Sequence, residues 1–365
     1  MTFPLDDFVA KARAEKHSQA FIDETTAYIQ QLEKNKLPVL FTLEHLCLEV
    51  RVNIRRFRLL LSSSRVDGYA RFKIKKRRGG YRTIHVPDND LKYLQRWLMH
   101  NVLFQIPSHS NCKGFDPGTS IKANAAEHLN KAAVLKIDLL RFYDSINEHR
   151  VCAIFKQMGY HPNFAVYLAK VCTIVPDNNF FIAFKQNELK LRDQIHGSGQ
   201  GILPQGAPTS PKLANLVARR LDKRLTGLAE KYQVAYTRYA DDLTFSGERA
   251  TLQVMKKVVY RIIRSEGFFV NLGKTKTLVR GNKYLVTGLS VDNAEVRVPG
   301  HIKKEIEHHI FHCVKNGAHI HMIKSGIKNR NFKDWLLGKI CFVYDIEEET
   351  GRRYLEDFKR IQWQI

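Results

Sequence analysis

Apolar residues recur at helical spacing through the first 64 positions. Phe8, Ala12, Phe21, Ile22, Tyr28, Ile29 and Leu32 form one set, and Leu43, Leu46 and Val50 resume it after Pro38. Around residue 70 the pattern changes. Tyr69, Phe72 and Ile74, then Gly79-Gly80, then Thr83 to Pro87 predict a hairpin, with a helix over Leu91 to Leu98 behind it. Gly114 to Ile121 reads as a turn entering a helix on which Asn124 and His128 share a face. Ala133 to Leu139 is a strand by composition. Side chains alternate along a strand, so Leu135, Ile137 and Leu139 face a core while Val134, Lys136 and Asp138 point the other way. A helical stretch is predicted over 151–175 and a flexible lead over Gly197 to Gly201. The next helix is capped by Thr209 or Ser210, has Pro211 in its first turn, and runs through Arg219 and Arg220 to about Lys231. Val234, Tyr236, Leu243 and Phe245 are β-prone and the polar break falls at Ala240-Asp241, which predicts two short strands joined by a tight turn. A helix over 252–266, a strand over 284–291 interrupted at Gly288, and helices from about Gly300 complete the chain.

Composition narrows the class. With 365 residues, 44% hydrophobic and 26% charged, the chain is globular and long enough for two or three lobes. No apolar run approaches the ~20 residues of a membrane span, and Met1 to Ala20 has no apolar core, so a cytoplasmic protein with no membrane partner is expected. Lys and Arg number 59 against 36 acids, a formal charge of +23, and the polyanion such an excess answers best is nucleic acid. Seven bases and no acid lie between Arg71 and Arg82, where they would line the hairpin and suit phosphates; a solvated face is the plainer reading. Arg51, Arg55, Arg56 and Arg58 read as a solvated helix face. The six cysteines include no C-x-x-C pair and are expected to be reduced core thiols. His301, His308, His309, His312, His319 and His321 crowd the last segment without a ligand pattern, and surface positions are expected for them.

The chemistry lies in the acids. Asp241 and Asp242 repel each other and cost several kcal/mol to bury, so the pair needs a cation, most often a divalent metal. On this stretch alone a solvated Asp-Asp turn would be the better reading. Asp138 changes that, because one carboxylate at a strand end and a pair on a separate hairpin suit two-metal phosphoryl transfer, with two Mg²⁺ ions roughly 3.5–4 Å apart. Gln205-Gly206 ends in a residue without a Cβ, which permits close approach by a flat base pair or a backbone.

These segments together resemble reverse transcriptases from about Arg71 onward. Asp138-Leu-Leu-Arg-Phe-Tyr-Asp-Ser-Ile146 is similar to the family's first aspartate motif. Leu203-Pro-Gln-Gly206 with Ser210-Pro211 and Leu213 to Leu216 is similar to the second, and Tyr239-Ala-Asp-Asp242 to the catalytic hairpin. Asn124-Ala-Ala-Glu-His128 and Val286-Thr-Gly288 resemble elements of the bacterial retron branch. Thr119 stands where related bacterial enzymes often have Arg. Asp144 stands where many retron enzymes have Pro, a feature closer to group II intron enzymes.

The resemblance implies an α+β right-hand polymerase. Its parts would be an N-terminal helical segment (1–64), fingers (65–132), the first palm strand (133–147), fingers and palm helices (148–200), the rest of an antiparallel palm (201–294) and a helical, RNA-binding thumb (295–365). It further implies Asp138, Asp241 and Asp242 as ligands of two Mg²⁺ ions, and Lys274 near the departing pyrophosphate, with Lys276 competing. Tyr143 would close against the sugar 2′ position, and its plain alternative is a core aromatic. Arg82, with Lys73 or Arg78, would hold the triphosphate, and Gln205 and Gly206 would lie under the nascent pair. Asn124, His128, Val286, Thr287 and Gly288 would serve RNA recognition. Implied partners are a cognate noncoding RNA, its cDNA, dNTPs and a defence effector protein, and the implied product is RNA-linked single-stranded DNA. No RNase H or endonuclease segment is expected after the thumb. An intron-derived or abortive-infection polymerase, and a noncatalytic RNA-binding scaffold, are the rival readings.

Overall fold

A computed structural model describes residues 3–75, 79, 81–279, 284–292 and 294–363. Four helices open the chain: α1 (Leu5–Ala14), α2 (Gln19–Lys34), α3 (Leu43–Val50) and α4 (Ile54–Ser62). Ser18, Thr42 and Asn53 cap the last three by accepting from the amides of Phe21, His45 and Arg56. The expected hairpin follows as β1 (Tyr69–Lys75) and β2 (Tyr81–Pro87), paired antiparallel. Then come α5 (Asn89–Asn101), α6 (Ile121–Ala126) and β3 (Ala133–Leu139).

Where one helical stretch was expected there are two, α7 (Glu148–Met158) and α8 (Pro162–Val171). Gly159, at φ 110°, closes the first, and Pro162 sits in the opening turn of the second. The polar segment beyond Pro176 also folds, as α9 (Asn178–Ile182) and α10 (Leu189–Ser198). The expected flexible lead is therefore helical through Gly197 and Ser198, and turns only at Gly199, φ 59°. Next are α11 (Ser210–Val217) and α12 (Arg219–Lys231), separated at Ala218. The expected side-chain cap at Thr209 or Ser210 is absent, because Ser210 Oγ is spent donating to the Pro204 carbonyl over 2.7 Å.

The catalytic-hairpin candidate is β4 (Ala235–Tyr239) and β5 (Asp242–Gly247), followed by α13 (Arg249–Ser265) and a long strand the pattern did not predict, β6 (Val270–Val279). The interrupted strand over 284–291 is instead a small hairpin, β7 (Leu285–Val286) and β8 (Leu289–Ser290). Thr287 (φ 47°) and Gly288 (φ 86°) form its turn. Helices α14 (Gly300–Asn316), α15 (Ala318–Lys324), α16 (Phe332–Ile346) and α17 (Glu348–Lys359) end the fold. Among the described residues no helix is long and apolar enough to cross a membrane.

The centre is a four-stranded antiparallel sheet in the order β4-β5-β3-β6. Leu135, Ile137 and Leu139 join Leu243 and Phe245 in a large core with α7, α8, α12 and α13. Val134, on the opposite face as alternation requires, joins a second core with Val286, Leu289 and residues of α14, α16 and α17. The sheet face bearing Asp138 is thus covered at one end and open at the other.

Two expectations about side chains are corrected. His321 is buried, and His308, His309 and His312 gather against it, because the chain turns back at Gly317 and lays α15 along α14. His309 Nδ1 lies 2.8 Å from His321 Nε2. Surface positions hold for His301, His308 and His319. All six cysteines are free, but Cys341 is exposed rather than in the core.

Candidate active site

Asp138 is the penultimate residue of β3 and pairs in register with Asp242, the first of β5. Antiparallel partners have Cα atoms roughly 4.5–5.5 Å apart, so the two carboxylates are neighbours across the ladder. Asp241 is in the turn just before, held by the Leu139 amide, which donates to the Asp241 carbonyl over 2.8 Å. Asp138 and the Asp241-Asp242 pair, about a hundred residues apart along the chain, therefore meet at one end of the sheet. Their electrostatics agree. Burial, then the charges of Asp138 and Asp242, push the Asp241 carboxyl up to about 6. Burial also raises Asp242, against the pull of Lys136.

A fourth group comes from β6. Its pairing with β3 slips between Lys136, opposite Lys276, and Asp138, opposite Asn271, so extra β6 residues bulge out. The bulge swings Lys274 back, where its Nζ stands 2.7 Å from Asp138 Oδ1, while Asn271 Nδ2 donates to Asp138 Oδ2 over 3.0 Å. Lys276 keeps its ladder position. Of the two lysines, Lys274 is the one against the carboxylates; Asn271 was not anticipated.

The donor set suits a hard divalent cation: oxygen only and crowded, with burial and then the charges of Asp138 and Asp242 holding Asp241 above the ordinary carboxylate range. Among the described residues no three His, Cys, Asp or Glu side chains are arranged to grip an ion unaided. Magnesium does not need such a cage, since it keeps waters and takes substrate phosphates as ligands.

Beneath the turn lies a second unanticipated group. Arg238 and Asp222 are both fully buried and paired, with Nη2 to Oδ2 at 2.7 Å and Nε to Oδ1 at 2.8 Å. Tyr236 donates its hydroxyl to Asp222, and Arg238 Nη1 donates to Asn215 Oδ1 and, over 3.1 Å, to the carbonyl of Ala240. Ala240 has φ 54°, a conformation costly for a residue with a Cβ, and this bond helps hold it.

Residues 74–301 match the family model described as reverse transcriptase (RNA-dependent DNA polymerase). The Retron Mx162 reverse transcriptase of Myxococcus xanthus is 30% identical over 354 residues, 91% of this chain and 70% of that one. The Retron Ec86 reverse transcriptase of Escherichia coli is 31% identical over 338 residues, 89% and 91% of the two chains. This chain belongs to the retron reverse transcriptases. The Retron Mx65 reverse transcriptase of Myxococcus xanthus is 37% identical over 268 residues, 72% of this chain, which spans 61% of the Mx65 enzyme's length.

In this retron reverse transcriptase the other expected residues divide into two groups. Of those expected at the nucleotide, Tyr143 stands by the acids, and the rest lie on or against the β1–β2 hairpin. The Tyr143 hydroxyl is pushed well up by burial and then by the charge of Asp241, while Arg238 and Arg82 act on it in the opposite sense. Tyr143 is therefore within electrostatic reach of both Asp241 and Arg82 on β2. Arg82 and Lys73 are exposed on β2 and β1; Arg78 lies outside the described residues. Gly206 has φ 117°, and a Cβ there would stand 2.7 Å from the His85 carbonyl. The close approach at Gly206 is made by the backbone of β2, whose His85 amide also donates to the Gln205 carbonyl over 2.8 Å.

The residues expected to meet RNA do not all reach the surface. Thr287 and Gly288 sit in their turn, partly exposed and exposed. Val286 and His128 are 0% and Asn124 1% exposed, so their side chains are packed inside rather than presented at the surface. Asn124 and His128 do not extend one helix face either, because α6 stops at Ala126 and His128 lies beyond it.

Proposed function

We propose that this chain copies part of its own structured noncoding RNA into single-stranded DNA that stays joined to the RNA, by extending a 3′ or internal 2′ hydroxyl. The observation that carries the chemistry is the convergence of Asp138 with Asp241 and Asp242. The retron relatives carry the choice of template. Two Mg²⁺ ions, when bound, would activate the attacking hydroxyl and stabilise the leaving oxygen. Asp138, Asp241 and Asp242 would hold them. Lys274 would then exchange its contact with Asp138 for the departing pyrophosphate, to which it offers charge and a proton.

Arg82, with Lys73, would bind the triphosphate from the fingers. Tyr143 would close on the sugar, and Gln205 and Gly206 would support the new pair. Thr287, Gly288 and the helical segment from 295 onward would grip the RNA by shape, as structured RNA requires. Retron membership extends the proposal to a cytoplasmic antiphage role with an effector protein.

Sequencing the nucleic acid that copurifies with the chain is the test. A discrete RNA–DNA hybrid is expected. Heterogeneous or template-free DNA would favour an intron-derived or abortive-infection type of polymerase, and RNA without DNA a binding scaffold.

A further inference from the structure

His128 has no surface, yet its ring is fully engaged. Nδ1 lies 2.7 Å from Ser246 Oγ on β5 and Nε2 lies 2.7 Å from Thr237 Oγ1 on β4. The ladder registers show what that bridge does. Thr237 pairs with Thr244, Tyr239 with Asp242, and Ser246 with Val134, so Thr237, Ser246, Asp242 and Asp138 all belong to the same face of the sheet. The imidazole therefore clamps the two strands of the catalytic hairpin to each other, on the face that presents the carboxylates and a few residues below them.

The same short segment is tied at its other end. Asn124 Nδ2 donates to Thr287 Oγ1 over 3.3 Å, and Thr287 Oγ1 donates to the Ile121 carbonyl over 3.3 Å. Ala125, between the two polar residues, is packed into the second core with Val134 and Val286. Tyr284, leading into β7, donates its hydroxyl to the Ala132 carbonyl at the start of β3 over 2.7 Å. The connection runs from the Thr287-Gly288 turn through Asn124 and α6 to His128, and from there to both hairpin strands.

We propose that Asn124 and His128 are positioning residues: an internal strut that fixes the catalytic hairpin against the Thr287-Gly288 turn, acting on the carboxylates through Thr237 and Ser246 without touching RNA. The part of this that concerns RNA rests on the proposed role of that turn. RNA seated there would brace the hairpin through the strut, so a correctly bound template also stiffens the site that copies it.

The test is synthesis on poly(rA)·oligo(dT) with dTTP and Mg²⁺, read as kcat and KM, beside the affinity for the RNA that copurifies with the wild-type chain, stripped and relabelled. His128→Phe keeps a flat ring, somewhat larger, and loses both bonds. It is expected to lower kcat about tenfold, the scale of a small misplacement at a reacting centre. KM for dTTP and RNA affinity should stay within about twofold of wild type, since the variant removes no contact to either. His128→Gln, whose amide still reaches one hydroxyl, should recover part of the loss. Thr237→Val with Ser246→Ala cuts the same bonds from the hairpin side and should reproduce the kcat loss, which decides the matter if His128→Phe does not fold. Wild-type kcat in that double variant, or an RNA affinity about tenfold weaker in His128→Phe at unchanged kcat, overturns the proposal. Absence of any copurifying RNA would count against the proposed function, and the kcat measurements would still decide the strut.

Discussion

Arg238 donates from Nη1 to the carbonyl of Ala240, 3.1 Å away, and so places a fully buried cation directly under the turn that carries Asp241 and Asp242. A buried charge is tolerable only while its partner is present; removing one member of such a pair typically costs about 3–5 kcal/mol, whereas replacing both with apolar groups is often neutral. Arg238→Met should therefore lower the unfolding free energy by that amount in urea titrations, and Arg238→Met with Asp222→Leu should restore most of it. The restored double variant should still be slow in DNA synthesis, because nothing then holds the Ala240 carbonyl.

Tyr143 lies close enough to Asp241 for that charge to be the second cause of its raised hydroxyl pKa, after burial. If its ring closes against the sugar, Tyr143→Ala opens room for a 2′ hydroxyl. Discrimination between dTTP and UTP on poly(rA)·oligo(dT) should fall by about tenfold or more, the usual worth of one shaped contact. Unchanged discrimination would return Tyr143 to the role of a core aromatic.

His128 gives the fold an acid-sensitive point. Burial pushes its imidazole from 6.5 down to about 3, with the charges of Lys131, Lys136 and Lys113 adding to the effect. Between those values the unfolded chain holds a proton that the folded chain does not. Its stabilising effect is thus complete above pH 6.5 and is lost as the pH falls, at up to about 1.4 kcal/mol per unit for this one group. In urea unfolding from pH 7.5 to pH 5.5, wild type should lose stability faster than His128→Gln. Parallel profiles would contradict the assignment.

Much of this site is written locally. Alternation along Ala133 to Leu139 put Asp138 opposite the core face, and the polar break at Ala240-Asp241 placed the turn; both are short-range patterns that tertiary packing has no reason to override. The unread groups are those whose meaning depends on a distant partner. Arg238 looks like any strand arginine until Asp222 meets it, and Asn271 meets Asp138 only across the ladder of β3 and β6, a strand the pattern does not predict. Asn124 and His128 were legible as a motif but not as an internal one, since their burial depends on β4, β5 and the turn at Thr287. The segment at 178–198 reads as polar, because Phe181, Phe184, Leu191 and Ile195, although helically spaced, are outnumbered by the polar residues between them. Its Phe184 packs under the Arg141 guanidinium, 3.7 Å from the ring centroid, and Glu188 pairs with the same arginine, so the contact is with a residue nearly fifty positions away.

We propose that nucleotidyl transfer takes place at the three carboxylates meeting at one end of this sheet. Asp241→Asn keeps the shape of the turn and removes one charge from the cluster. Its rate of Mg²⁺-dependent dTTP incorporation on poly(rA)·oligo(dT), compared with wild type at matched folded protein, is the most direct measure. A loss of about a thousandfold or more is expected, the scale of removing a main electrostatic contact to the transition state. Incorporation within about tenfold of wild type would contradict it.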